Sequence, residues 1–269
     1  MSSNVVYAIV KAGGRQEKVS VGSVVAFSGI VMGILVIDLG VNPWLAALIG
    51  IALGSVCGTI NGLLISRFKL QPMIATLGMM SIARGAALTL AGGRTISGYP
   101  PGFTWLGNGT VPGTTIPVQI VFMLLLYVIA YYFMRYRRFG RALYSVGGNE
   151  EATRLSGINV FKYKTLAYTV SGALAGIASV VLVAKLNSAQ SIAGQDYELD
   201  AIASAVIGGA SLLGGKGSIW GTLMGALIIG VIRNGLNLLN VSSYLQKLII
   251  GFIILIAVLV DAFRNRERS

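Results

Sequence analysis

Residues 44–66 read WLAALIGIALGSVCGTINGLLIS. These twenty-three residues carry no charge, and at 1.5 Å per residue they are long enough to cross roughly 30 Å of hydrocarbon as one helix. Gly50, Gly54, Gly58 and Gly62 recur every fourth residue, so they lie along one helix face and strip it of side chains. Such a stripe lets a second backbone approach closely and predicts helix packing inside a bundle rather than a lone anchor.

Further apolar stretches of similar length flank this one. They predict spans at Val19–Leu39, Met73–Ala91, Ile116–Met134, Thr165–Lys185 and Gln246–Phe263. Two glycine-broken pieces, Leu199–Leu213 and Ser218–Arg233, bring the expected number to about eight, and Gly221 and Gly225 repeat the small-residue spacing within the second. The fold expected is an all-α polytopic membrane protein with glycine-broken half-helices, tolerated where irregular backbone is buried in protein or lines a cavity.

Composition agrees. Of 269 residues 55% are apolar, about two-thirds once the 36 glycines are included, and only 11% are charged. Too few charges remain to cover a water-soluble surface, and a mean hydropathy of +0.77 points to lipid as the surrounding medium. The absence of histidine excludes histidine triads, histidine metal sites and imidazole relays; the single cysteine, Cys57, excludes a disulfide framework or cysteine metal cluster. No cofactor or metal is expected.

The net charge of +12 could indicate nucleic acid, but position decides otherwise. The loop 135–164 holds Arg135, Arg137, Arg138, Arg141, Arg154, Lys162 and Lys164 against Glu150 and Glu151, which places it in the cytoplasm. An even number of spans then puts both termini, residues 1–18 and the tail 264–269, on that same side. Most remaining Lys and Arg fall there as well, so the charge reflects membrane topology and no nucleic-acid partner is expected. Residues 1–18 lack the apolar core and cleavage site of a signal peptide, leaving the first span as the expected insertion signal.

Gly208–Gly217 ends in Gly214-Gly215-Lys216, but Ala210 and Gly217 stand where a phosphate-binding loop needs glycine and a hydroxyl residue. A turn between half-helices fits better. Just before it, Asp196, Glu198 and Asp200 cluster near Gln190 and Gln195. Carboxylates within a span are functional candidates, which makes Gln190, Glu198, Asp200, Ser204 and Asn234 the candidate pathway residues, with capping of a helix start as the competing role. Asp38 and Arg84 are expected to be structural partners or interface anchors. Lys185, Arg233 and Lys247 are expected to snorkel toward an interface.

Within the basic loop, GGNEEATRLSGI at 147–158 has Asn149 as N-cap, two acids in the first turn and a stop at Gly157, the pattern of a short exposed helix. That stretch, together with PMIATLGMM at 72–80, ELDAIASAVIGGASLLGGKGS at 198–218, GTLMGALIIG at 221–230, NGLNLLNVSS at 234–243 and SSYLQKLIIGFIILIAVLVD at 242–261, resembles the ribose-type permeases of bacterial ATP-binding-cassette sugar importers, within the branched-chain amino acid/ribose permease superfamily.

The resemblance runs from Val19 to Asp261. It implies one permease domain over 19–263 in the bacterial inner membrane, forming the pathway of a sugar importer as a dimer, with a cytoplasmic ATPase, an external sugar-binding protein and lipid as partners, and no hydrolysis of its own. By the same likeness Gly147, Gly148, Asn149, Glu150, Glu151, Ala152, Leu155 and Gly157 would form the segment that docks into the ATPase. Where the family carries further hydrophobic sequence, this chain has Arg15-Gln16-Glu17-Lys18, so the fold is expected to lack the family's first helices. The rival readings are an ATP-independent transporter or channel, and a truncated permease that does not transport.

Overall fold

A computed structural model describes residues 20–211, 214–215 and 217–266. The expectations for residues 1–18, Lys216 and Arg268, and for the side chains of Arg264 and Arg266, lie outside this set.

The described chain is helical almost throughout. Helix α1 (Val21–Gly33) runs into a π-helical turn (Ile34–Asp38) and is followed by α2 (Pro43–Arg67), α3 (Pro72–Ala91), a short strand β1 (Ile96–Ser97), α4 (Pro101–Asn108) and α5 (Val118–Tyr136). Next come α6 (Arg138–Gly148), α7 (Glu150–Leu155), α8 (Val160–Leu186), β2 (Ser188–Ala189), α9 (Tyr197–Ile207), α10 (Ile219–Leu238) and α11 (Ser243–Arg266).

Local chemistry sets these boundaries. Pro43, Pro72 and Pro101 each open a helix, where the missing N–H would have no partner anyway. Asn42 Oδ1 accepts the Trp44 N–H at 2.9 Å, and α3 stops at Gly92, whose φ of +58° turns the chain out of the helix.

Among the described residues six helices are long and apolar enough to cross a membrane: the α1–π run, α2, α3, α5, α8 and α10. Helix α11 carries an apolar stretch over Ser243–Leu259. The piece expected as a short span at Leu199–Leu213 is different. Its helix, α9, has only eleven residues, about 16 Å, roughly half the length needed to cross the hydrocarbon. Residues between Asn187 and Tyr197 run as a strand and turns instead.

The centre of the bundle is an antiparallel crossing of α2 and α8. A Cβ on Gly54 would meet the Gly172 carbonyl, one on Gly58 the Tyr168 carbonyl, and one on Gly62 the Thr165 backbone; Gly176 abuts Ile51, and Gly50 abuts Met32 of α1. Thr59–Thr169 and Ser66–Thr165 hydroxyl pairs, each 2.8 Å apart, run along one edge of the seam. Helix α1 lies against this pair, with Ser179 Oγ donating to the Val25 carbonyl at 2.7 Å.

The ends of this crossing define two rims. One gathers the C-terminus of α2, helices α6 and α7 and the start of α8, with Arg67 and the arginine-rich loop. On the other, Ile96 pairs with Ala189 and Ser97 with Ser188 in a two-stranded ribbon. There Asn108 Nδ2 donates to the carbonyls of Ala184 and Lys185 at 3.2 and 3.1 Å, satisfying oxygens that the end of α8 leaves free. Large apolar side chains such as Leu48, Val56, Ile82, Leu125 and Val231 remain exposed along the helices, the surface a bilayer requires.

Candidate functional site

The broken crossing begins where α8 ends at Asn187, a residue at φ +50°. The chain then turns back among the helices. Its local turns use the carbonyls of Gln190, Ile192 and Gly194, which accept from Ala193, Gln195 and Tyr197. The carbonyls of Ser191 and Ala193 are taken by Arg84 of α3, whose Nη1 donates to them at 2.6 and 3.0 Å. Unpaired backbone oxygens are costly at membrane depth. One guanidinium from a neighbouring span therefore stabilises a segment that cannot satisfy itself by helix formation.

Three acids and three cations meet at the head of α9. Asp200 Oδ1 accepts from Arg233 of α10 at 2.6 Å, and Asp196 Oδ2 lies 2.7 Å from Lys247 of α11. Glu198 is 5% exposed and faces α1, where it takes the Gly22 backbone N–H and is attracted through space by Arg84. Its Oε2 has no hydrogen-bond partner among the described atoms. The acids at 196, 198 and 200 thus face three different neighbours: Lys247 of α11, the backbone of α1 and Arg233 of α10.

This changes several expectations. Arg233 and Lys247 have partners that the sequence reading did not foresee, Asp200 and Asp196. Asp196 sits at the N-cap position of α9 at φ +67° and makes no side-chain capping bond. Arg84 is a structural partner, and Asp38 pairs with Arg94 on the ribbon side. The proposed pathway residues do not converge. Glu198 and Asp200 share the charge cluster, whereas Ser204 is fully buried and its Oγ donates to the Asp200 carbonyl at 2.7 Å. Asn234 is exposed on α10, and Gln190 donates to Ser188 Oγ at 3.4 Å near the ribbon.

Helices α9 and α10 pack antiparallel through the expected small residues. A Cβ on Gly221 would strike the Gly208 carbonyl, and one on Gly225 the Ser204 carbonyl. The turn joining them includes Gly209, Gly214 and Gly215, all at positive φ. Tyr197, Lys185 and Gln119 border a cavity of about 290 Å³ between α5 and α8.

On the arginine-rich rim, Asn149 caps α7: its side chain accepts the Ala152 N–H at 3.0 Å, and its carbonyl accepts from Thr153 Oγ1 at 2.7 Å. Glu150 pairs with Lys164 and Glu151 with Arg154, the latter at 2.7 Å. Gly157 has φ +79°, and Leu155, 80% exposed, projects from the end of the helix. Gly147 is buried beneath, while Gly148 and Ala152 face outward.

The sequence reading missed how this rim meets the broken crossing. Gly215 sits against the backbone of Gly147 and Gly148, and the Tyr144 hydroxyl donates to the Gly217 carbonyl at 3.1 Å. Burial pushes the Tyr144 phenol up, so it keeps its proton and serves as a donor. The only signal in the sequence was the pair of glycines on each side. Among the described residues no group of three His, Cys, Asp or Glu could hold a metal ion.

Apolar helices closing around a half-crossing of irregular backbone, with an arginine-rich loop on one rim, define a polytopic α-helical membrane protein of the permease type. Residues 15–258 match the family described as branched-chain amino acid transport system / permease component, and the chain belongs to that family. It is 46% identical over 246 residues to the ribose import permease protein RbsC of Escherichia coli (strain K12), covering 90% of this chain and 76% of that protein. RbsC of Bacillus subtilis (strain 168) is 46% identical over 244 residues, 90% of this chain and 75% of its own. The D-allose transport system permease protein AlsC of E. coli (strain K12) is 41% identical over 243 residues, 90% and 74% respectively. No solved structure matches the chain.

Proposed function

We propose that this chain is the transmembrane permease subunit of an ATP-driven importer of ribose or a related monosaccharide. The observation that carries this reading is the 46% identity to a ribose import permease sustained over 90% of the chain. Relatives named for D-allose and fructose, at 41% and 36% identity, support a monosaccharide as the solute class.

In this reading residues 19–263 form one permease domain in the bacterial inner membrane with both termini in the cytoplasm. A second permease copy completes the pathway, an external binding protein delivers the sugar, and a separate cytoplasmic ATPase hydrolyses ATP. The segment from Gly147 to Gly157 within loop 135–164 docks into that ATPase. Closure of the ATPase dimer moves α7, and the bundle exchanges outward-open and inward-open packings; differential contacts in the two states supply the energy. The exposed Leu155 on a capped helix, and the backbone contact from Gly148 to Gly215, support a mechanical route from this rim to the broken crossing.

An ATP-independent, ion-coupled transporter needs an acid free to exchange its ion. Asp200, the candidate for that role, is engaged by Arg233, which favours the importer.

The test is capture of a sugar-importer ATPase by the membrane-inserted chain, wild type beside an Asn149→Ala, Glu150→Ala, Leu155→Ala triple variant. Capture abolished by the variant supports the reading. Capture unaffected by it, or ATP-independent uptake by the wild type, overturns it. With the Glu150→Ala, Leu155→Ala double variant, membrane insertion is expected to be normal while the partner ATPase hydrolyses ATP without sugar uptake.

A further inference from the structure

Beside the arginine-rich rim lies a cavity of about 360 Å³ that the transport reading does not use. It is lined by Tyr131, Met134 and Arg135 of α5, Arg141 and Tyr144 of α6, and the Gly217–Ile219 entry to α10. Its charge is one-sided. The two acids of this rim, Glu150 and Glu151, are engaged by Lys164 and Arg154, while Arg135 and Arg141 have no acidic partner among the described residues. Arg141 places only one Nη1 bond, at 3.3 Å, on the Tyr136 carbonyl, and Arg135 lies 5.9 Å from the Tyr131 ring centroid. Both arginines are exposed and keep donors free for a ligand.

The depth of the cavity indicates the ligand. Tyr131 packs against Trp220 and Tyr136, and Tyr132 against Tyr136, forming a band of aromatic rings at the end of α5. Such bands mark the level of lipid headgroups. The lining also includes the buried, apolar Met134 and Ile219, so the cavity combines two arginines for a phosphate with an apolar surface for a glycerol or acyl chain. We propose that this cavity binds the headgroup of an anionic phospholipid from the leaflet facing the arginine-rich rim, the phosphate seated between Arg135 and Arg141.

The bound lipid would touch Tyr144 and Gly217, the two groups that join the rim helices to the turn before α10. Occupancy therefore stabilises that junction, and anionic lipid becomes a condition for transmitting movement from one to the other. The binding itself does not depend on which solute the chain carries.

The experiment purifies the full chain from vesicles of equal parts phosphatidylglycerol and phosphatidylcholine and counts retained lipid by native mass spectrometry. Phosphatidylglycerol adducts are expected to exceed phosphatidylcholine adducts by roughly tenfold, and an Arg135→Gln, Arg141→Gln variant to remove that preference. The Arg135→Lys, Arg141→Lys variant, which keeps the charge, is expected to retain much of it. Added inorganic phosphate should not displace the lipid; displacement would reassign the cavity to free anions. Equal loss in an Arg137→Gln, Arg138→Gln control, or no loss in the Arg135, Arg141 variant, overturns the site.

Discussion

The backbone of Gly215 rests on that of Gly148: a Cβ at position 215 would stand 2.7 Å from the Gly148 Cα. Gly215 also has φ +71°, a conformation that costs an L-residue about 1–2 kcal/mol. Gly215→Ala meets both obstacles. The chain is expected to insert, to keep α7 intact and to capture the ATPase, while sugar uptake falls roughly tenfold because the rim no longer seats on the turn. Capture and uptake measured on the same membranes separate this from a change in the proposed docking segment.

Arg84 contacts two carbonyls and stands beyond ion-pair distance of Glu198. If its role is to hold residues 191–193, Arg84→Lys keeps the charge but loses the planar fork, and the expected result is a loss of uptake approaching that of Arg84→Met. Adding Glu198→Gln to Arg84→Met should not restore it; restoration would make Arg84 a counter-ion only. A thiol placed at the buried Ser191, in a Cys57→Ser background, should react with maleimide about tenfold faster once Arg84 is replaced.

The α2–α8 seam tolerates no side chain. Gly54→Leu or Gly172→Leu would drive a branched side chain into the facing backbone, and each is expected to abolish a stable bundle. Gly78→Leu, in open space on α3, is the contrasting control for bundle stability and is expected to shift the thermal midpoint little. Detergent-solubilised protein resolved by size exclusion distinguishes the three.

Removing the cap by Asn149→Ala should cost α7 about 1 kcal/mol, while Asn149→Ser or Asn149→Asp should recover most of it. Affinity for the ATPase is expected to fall by up to about tenfold in the alanine variant alone. Asp38→Asn, which breaks a half-exposed pair with Arg94, should change stability by about 1 kcal/mol or less, as surface ion pairs do.

Much of this was legible in the sequence because its causes are local. Hydropathy over some twenty residues finds α2, α3 and α8, and the Asn149 cap with its following acids announces α7, since each depends on neighbours within a turn or two. The half-crossing was legible only in part: the glycine breaks announced half-helices, but not what holds the chain between them. Residues 199–213 are as apolar as a span, yet the stretch before α9 is held in turns by Arg84, more than a hundred residues away in sequence.

Arg233 and Lys247 illustrate the other limit. Taken alone, a long cation near a span end snorkels. That each instead meets an acid of a different helix follows from how α9, α10 and α11 pack, and no spacing within one segment encodes it. The meeting of Gly148 and Gly215 is likewise tertiary: glycine in the sequence announces permission for a close approach, never the identity of the neighbour.

The seam between α2 and α8 has a mechanical corollary. With backbone bedded on backbone and two hydroxyl pairs along one edge, neither helix can slip along or roll over the other without lifting apart. The two therefore move as a single spar, and any reshaping of the bundle must come from hinging of the lighter pieces, α9 and its turns among them, about a keel that does not bend.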